Sequence, residues 1–560
     1  MNSRSMKKGA VQKLPLLRIA GYGADKVILL GLLGSVLLFV LWPMVCILVK
    51  SLWDGEKVGL AAYEAVWSQY GTNLWNSVFT GVCAALLCTL FSTAAAIFLA
   101  SSRGAVKAAC MALLLITMVS PPFVSSLAYI QLYGRRGWIT YRLLGISWDP
   151  YNCWGVILMQ SLSFVPLNAL FLTGILTKLD GDSLRSARDL GAAPKDILKD
   201  IVLPLMRPGI LVALLLSFVR SLADFGTPVI IGGRFSTIAS EIYLQLVGYS
   251  NLEKASAMNM VLLIPSIAAF FLYRRLMGQS ERMMPGGRGR QERLDLPMRK
   301  CGLAGHLVNL ASILFFVMMA LQYGCIFLSG FLKTTKGVYS FTTRYLRQMV
   351  ERDLSTMGRS VAYALIVSFA GTLFAMLFAY YMERRKVPGR NAFDCLVTLP
   401  YMLPGTCFGI GYILAFNSPP MRLTGTAFIV IANMLFKQLP TATKICSATL
   451  TQVPRDQEKA VRDLGGGQLS ILGTVILPGL KPAFLSCFVY NFSSSMTTAG
   501  AIIFLIDPAR KLAVFQLFDA VYTGEYALAS LIASFIILVV LAVEGLVYFI
   551  TWKAGKRRVS

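Results

Sequence analysis

The chain has 560 residues, 56% of them hydrophobic, and a mean hydropathy of +0.64. That composition excludes a soluble fold, and several runs exceed the roughly 20 apolar residues that cross a bilayer core. The formal net charge of +26 is not a nucleic-acid footprint: most Lys and Arg fall on one side of the topology below, the positive-inside bias, where they meet the anionic headgroups of a lipid bilayer.

The runs are continuous, unlike the alternating segments of about 10 residues that build a transmembrane barrel. The expected class is an all-α polytopic membrane protein. Of the 11 Cys, Cys83, Cys88, Cys110, Cys395 and Cys487 sit inside apolar runs, where a thiol behaves as a small hydrophobe. There is no C-x-x-C, and His306 is the single histidine. Neither a disulfide framework nor a metal site is expected.

Residues 1–26 carry Arg4, Lys7, Lys8, Lys13, Arg18 and Lys26, and a long apolar run follows from Val27 to Val49. It is too long for a signal-peptide h-region and has no A-x-A-type cleavage site after it. It reads as an uncleaved first span with a cytoplasmic N-terminus. Further spans are predicted at 74–100, 106–133, 152–178, 208–233 and 257–277. A basic connector, 278–300, contains P-G-G-R-G-R-Q-E-R. A second set follows at 303–331, 359–382, 391–416, 423–447, 481–506 and 527–552. About 12 spans place both termini in the cytoplasm. The inner segments then hold Arg103 and Lys107, Arg384-Arg385-Lys386 and the tail Lys556-Arg557-Arg558, while Arg135, Arg136, Lys333, Lys336, Arg344 and Arg347 fall outside.

One polar stretch occurs twice. Residues 182–208 and 456–482 share Arg188-Asp189-Leu190-Gly191 with Arg462-Asp463-Leu464-Gly465, and Leu203-Pro204 with Leu477-Pro478, at a constant offset of 274. Ser77 matches Ser360, Pro121 matches Pro404 and Tyr129 matches Tyr412 at an offset of 283, and Pro166 matches Pro440 at 274. The first half therefore has nine extra residues between Tyr129 and Pro166. An even number of spans separates the copies, so the two six-helix repeats are parallel. Parallel repeats imply a pseudo-two-fold axis along the membrane normal with a site between the halves. The expected divisions are a first half (1–277), the connector (278–300) and a second half (301–560).

Each polar stretch predicts an elbow. Asp182 or Ser183 is placed to N-cap a short helix, Gly191 to end it with positive φ and Pro194 to start a second piece. Pro204 and Pro208 are expected to mark re-entry into the membrane. Gly465-Gly466-Gly467 makes the same turn in the second half.

These stretches resemble the loop of binding-protein-dependent ABC importer permeases, which runs E-A-A, three residues, G, then about a dozen residues to L-P. Ala187 and Gly191, and Ala460 and Gly465, fit it. Arg185 and Lys459 stand where the family's Glu usually is, with Glu458 one residue away, and Val461 replaces the second Ala. The resemblance covers nearly the whole chain as two fused permease halves of the type I fold. It implies that Ala187, Asp189, Gly191, Leu203, Pro204, Ala460, Asp463, Gly465, Leu477 and Pro478 belong to coupling loops that dock on a separate ABC ATPase subunit dimer. No G-x-x-x-x-G-K-S/T motif occurs, so this chain has no P-loop. ATP and Mg would be used by the partner, no cofactor would bind here, and the chain is not itself an enzyme.

Arg220 and Asp224 stand i,i+4 within an apolar segment. Charges there usually face a cavity or each other, and this spacing allows a pair on one helical face. The matching second-half stretch contains Thr497 and Thr498. Pro121-Pro122 and Pro400/Pro404 interrupt the third span of each half, and broken helices often border cavities. Arg220, Asp224, Phe225, Pro121, Pro404, Thr497 and Thr498 are the expected pathway residues. Lys437, with Ser163 as its first-half counterpart, is expected to snorkel rather than to pair. The phrase L-A-D-F-G-T-P-V-I-I-G-G followed by T-I-A-S-E-I-Y, with the S-P-P-F-V-S-S-L-A-Y-I of span three, resembles the ferric-iron branch of the family. That resemblance implies a bacterial inner-membrane protein taking ferric iron from an extracytoplasmic solute-binding protein. Branches for thiamine, phosphonates, polyamines, sulfate or molybdate are the alternatives. A 6+6 secondary transporter would carry its signature between spans two and three, where only Ser101-Ser102-Arg103-Gly104 stands, and a membrane-embedded enzyme would need clustered His, Cys or acids.

Overall fold

The computed structural model describes residues 23–53, 57–146, 149–177, 181–283, 301–335, 338–385, 387–419 and 421–559. The basic N-terminal residues before 23, connector residues 284–300, Lys336 and Lys386 lie outside them. The first half comprises α1 (Gly23–Leu52), α2 (Ala61–Ser101), α3 (Gly104–Val119), α4 (Val124–Tyr133), α5 (Cys153–Leu176), α6 (Gly181–Asp189), α7 (Pro194–Ala223), α8 (Gly226–Ile231), α9 (Ile238–Val247) and α10 (Leu252–Met283). The second comprises α11 (Gly302–Ser329), a hairpin β1 (Leu332–Thr335) and β2 (Val338–Phe341), α12 (Arg344–Arg384), α13 (Arg390–Met402), α14 (Gly405–Phe416), α15 (Ala427–Leu450), α16 (Arg455–Asp463), α17 (Gln468–Gly479), α18 (Lys481–Thr497), α19 (Ala513–Tyr522) and α20 (Tyr526–Val559).

The duplication extends to element boundaries. Both α2 and α12 run 41 residues at the 283 offset, and α5 and α15 run 24 at the 274 offset. The nine extra residues fall in the connection 134–152, where the second half has only 417–426. Ser77 and Ser360 do the same work: each hydroxyl accepts, at 2.8 Å, the first backbone N–H of a short helix late in its own half, Ile238 on α9 and Ala513 on α19. Those amides have no intrahelical partner.

Among the described residues, eight helices are long and apolar enough to cross a membrane, and three bent pairs raise the number to eleven. The helix α15 holds the remaining expected place. It falls short on composition because Asn433, Lys437, Gln438 and Lys444 interrupt it, and Asn433 and Gln438 are buried against protein.

The third spans, 106–133 and 391–416, are interrupted at the prolines, as expected. Each is bent by 112°, between α3 and α4 and between α13 and α14. Pro121-Pro122 and Pro404 remove the amides that would continue the helix. The fifth span of the first half is redrawn. Pro204 and Pro208 lie inside α7, which runs on from Pro194. A π-turn at Ile197–Val202 precedes Leu203-Pro204, and another at Leu472–Ile476 precedes Leu477-Pro478. The wider turn accommodates a proline that cannot donate to the residue four back.

The first helix of each half packs on the opposite half. From α1, Phe39 stacks on Phe436 with ring centroids 5.0 Å apart, and its carbonyl accepts from Tyr412 Oη at 2.8 Å. A Cβ on Gly411 would meet the Pro43 carbonyl at 2.9 Å. From α11, Phe315 and Phe316 pack on Phe91 and Phe98, and Ser329 and Cys325 donate to Gln131 of α4. This exchange merges the apolar interiors of the two halves.

Candidate functional site

The two polar stretches form the elbows their sequences predict. Helices α6 and α16 each span nine residues at the 274 offset. Each ends in a left-handed glycine, Gly191 at φ +85° and Gly465 at φ +84°. The closing hydrogen bonds match. Gly191 N–H donates to the Arg188 carbonyl (2.8 Å) and Ala192 N–H to Ala187 (3.0 Å); Gly465 donates to Arg462 (2.9 Å) and Gly466 to Val461 (2.8 Å). This is the Schellman pattern, which satisfies carbonyls that a helix end leaves open. Pro194 then starts α7 at its first turn, as expected. Asp182 and Ser183 lie inside α6, not at its cap, because the helix already begins at Gly181.

The residue before each glycine is a leucine, and Leu190 and Leu464 are both 88% exposed. The elbows thus present the same apolar tip twice. Ala187 is half-buried and Ala460 exposed, while Asp189 and Asp463 are exposed.

Glu458, one residue from the expected Glu position, is buried. Its carboxylate lies 3.3 Å from Arg384 Nε and 3.9 Å from Arg462, and the Arg384 and Glu458 side chains are each 7% exposed. Arg384 also donates to the carbonyls of Leu450 (2.7 Å) and Val453 (2.6 Å). Elbow two is therefore tied to the ends of α12 and α15. Lys459, at the family's Glu position, pairs with Asp456 at 2.8 Å on the surface.

A second feature lies in the first half, where Tyr323 and Thr497 of the second half reach it. A cavity of about 360 Å³ is lined by Pro121, Arg220, Asp224 and Thr497 of the expected pathway set. Thr498 and Pro404 lie outside that lining, as does Phe225. Thr498 donates to the Ser494 carbonyl at 2.6 Å, and Pro404 caps α14. Phe225 is buried in an aromatic cluster with Phe123 and Tyr243.

Arg220 and Asp224 do not pair. The helix α7 stops at Ala223, and Asp224 is extended, so the i,i+4 face needed for the pair is lost. Asp224 Oδ1 accepts from the Gly226 and Thr227 amides (3.0 and 3.2 Å), and Oδ2 accepts from Gln160 Nε2 (3.0 Å). The Arg220 guanidinium instead lies 5.9 Å from the Phe164 ring centroid. Thr498, the counterpart of Asp224, is also extended at the end of α18. Just beyond, Gly226 and Gly500 sit under the two breaks. A Cβ on Gly226 would strike the Phe123 ring at 2.1 Å, and one on Gly405 would meet Gly500 at 3.0 Å. Phe123 itself has φ +78°.

Lys437 does not snorkel. Its Nζ donates to the carbonyls of Pro400 and Leu403, each at 2.6 Å, and lies 5.6 Å from the Phe408 ring centroid. Pro404 leaves the Pro400 carbonyl without its helical donor, and a cation suits the negative end of α13. Sequence reasoning missed Gln160, Phe123 and Tyr323, which reaches the cavity from α11. The signal for Gln160 was a polar residue in an otherwise apolar run; Phe123 carried none beyond its position after Pro122.

The family model described as "Binding-protein-dependent transport system inner membrane component" matches residues 89–282 and again 371–558. The chain is 30% identical over 556 residues to the ferric transport system permease protein FbpB of Actinobacillus pleuropneumoniae, covering 96% of this chain and 79% of that one. It is 31% identical over 524 residues to a putative ferric transport system permease protein, FbpB 1, of Haemophilus influenzae, covering 90% and 82%. The molybdenum transport system permease protein ModB of Mycobacterium tuberculosis is 31% identical over 234 residues, 41% of this chain and 86% of that protein.

Proposed function

Because the chain belongs to the family of binding-protein-dependent transport system inner membrane components, with the family domain present twice, we propose that it is the permease of an importer for ferric iron, driven by a separate ATPase. The chain is an ABC importer permease of two fused halves, and its family is one of transport and not of catalysis. An extracytoplasmic binding protein delivers the iron, and both termini lie in the cytoplasm. The ATPase dimer grips the elbows through Ala187, Asp189 and Gly191 in one half and Ala460, Asp463 and Gly465 in the other. The π-turns before Leu203-Pro204 and Leu477-Pro478 pass the motion along α7 and from α17 into α18. Closure of the ATPase rocks the halves between outward-open and inward-open arrangements around the cavity of Arg220 and Asp224.

The observation that carries the coupling role is the pair of matched Schellman turns that hold Leu190 and Leu464 in water. Ferric iron rests on likeness to relatives spanning nearly the whole chain. The test is reconstitution of the permease with its ATPase and binding protein in proteoliposomes, followed by ⁵⁵Fe uptake with ATP. A second reading, an oxyanion cargo, draws on Arg220, which forms no ion pair among the described residues, and on the molybdenum relative. Uptake of labelled molybdate in place of iron would favour it.

A further inference from the structure

The two halves treat one place differently. In the second half, Lys437 carries its ammonium to the carbonyls of Pro400 and Leu403 and lies against Phe408. The first-half counterparts, at the offsets of 274 and 283, are Ser163 for Lys437, Thr117 and Ser120 for the two carbonyl residues, and Ser125 for Phe408. The contact itself is preserved: Ser163 Oγ donates to Ser125 Oγ at 2.9 Å. A long cationic side chain and a ring have become two small hydroxyls. All four first-half counterparts line the 360 Å³ cavity.

The carbonyls at this place lose the same helical donor in both halves. Pro121 cannot donate to the Thr117 carbonyl, just as Pro404 cannot donate to Pro400. Thr117 O is left with the longer 3.3 Å bond from Ser120 N–H. The C-terminal end of α3 carries the negative end of the helix dipole. In one half a built-in cation meets that end; in the other a polar cavity does.

We propose that this first-half cavity is a transit site for a hard metal cation, held on oxygen donors where the second half places the Lys437 ammonium. The donors are the carbonyl end of α3, the hydroxyls of Ser125, Ser163 and Thr227, and the Asp224 carboxylate, all of residues that line the cavity, which is the oxygen-only set that hard cations take. Among the described residues no group of three or more His, Cys, Asp or Glu is placed to hold a metal ion. With mostly neutral donors, and with Arg220 also in the lining and opposing a cation, the site holds weakly. Passage requires that, since a tight site traps what enters. The proposal rests on the reading above for iron as the ion that passes, and not for the existence of the site.

Terbium(III), a hard trivalent probe excited through nearby phenols, reads the site directly; Tyr323 lines the cavity. Purified permease with its ATPase should show Tb³⁺ luminescence of which one saturable component is lost in Ser163→Lys, the change that installs the second half's cation. The double change Lys437→Ser with Phe408→Ser should gain a component, so the comparison survives if Ser163→Lys fails to fold. Equal luminescence in wild type and folded Ser163→Lys, or no gain in the double variant, overturns the site. Spermidine binding in the absence of Tb³⁺ binding overturns its assignment to a metal. In proteoliposomes, ⁵⁵Fe uptake should fall at least tenfold in Ser163→Lys. Wild type that binds Tb³⁺ but carries no ⁵⁵Fe refutes the iron reading and leaves the site standing; wild type that carries ⁵⁵Fe equally well with Ser163→Lys refutes the site.

Discussion

Arg384 and Glu458 meet at 3.3 Å in the protein interior, where the first half has Ser101 and Leu184. Leu184 is buried as Glu458 is. The second elbow is thus fastened by charge at the point where the first is fastened by apolar contact. Removing one partner of a buried pair costs about 3–5 kcal/mol because a charge is left behind. Here the cost of Glu458→Leu should lie at the low end, since Arg384 keeps its two carbonyl acceptors. The double change Arg384→Ser with Glu458→Leu, which reproduces the first half, should recover most of it. Thermal unfolding of the purified permease checks both.

The elbow glycines test geometry apart from space. At Gly191 a Cβ would meet nothing within 4 Å, so a substitution strains only the backbone. The left-handed conformation costs most residues roughly 1–2 kcal/mol, and Asn less. Gly191→Val with Gly465→Val should leave insertion intact but separate ATP hydrolysis from uptake, whereas Gly191→Asn should be mild. Uptake and ATPase rates measured together distinguish the two.

Leu190 and Leu464 are exposed to the same degree, as expected of tips that become buried on a partner. Full burial of a leucine stabilises by about 1.5–3 kcal/mol, so Leu190→Asp or Leu464→Asp should weaken ATPase binding by roughly ten- to a hundredfold. The melting temperature of the isolated permease should not move. Titration of labelled ATPase onto the permease measures the affinity.

Asp224 bonds two backbone amides and Gln160. Asp224→Asn keeps an oxygen for the amides, and Asp224→Ala keeps none. The alanine change should reduce both uptake and stability, with about 1–3 kcal/mol lost for unsatisfied buried donors. The asparagine change should retain most of the stability. Equal loss in both variants would mean that the charge, and not the cap, is what matters there.

Much of this architecture was readable in the chain. The glycine that ends each elbow, the proline that begins α7 and the breaks at Pro121 and Pro404 all follow from local backbone rules, and local rules survive in sequence. The repeat showed which residues to compare. The Arg220–Asp224 pair was misjudged because helical spacing was carried past Ala223. Pro228, which cannot donate to the Asp224 carbonyl four residues back, and Gly226 were the signals that the helix stops. The exchange of α1 and α11 between halves leaves no local trace, since an apolar span looks the same whichever neighbour it meets. Lys437 was assigned to the surface for a similar reason: the carbonyls it satisfies lie 34 and 37 positions away in sequence.

The central claim is that an outside motor drives two pseudo-symmetric bundles through the elbows. The most direct measurement is ⁵⁵Fe uptake into proteoliposomes holding the permease, its ATPase and the loaded binding protein, with and without hydrolysable ATP. Uptake that requires hydrolysis, and that falls when both elbow glycines become valine, is the predicted result. Full-rate uptake by the permease with no nucleotide-hydrolysing partner present would contradict the account.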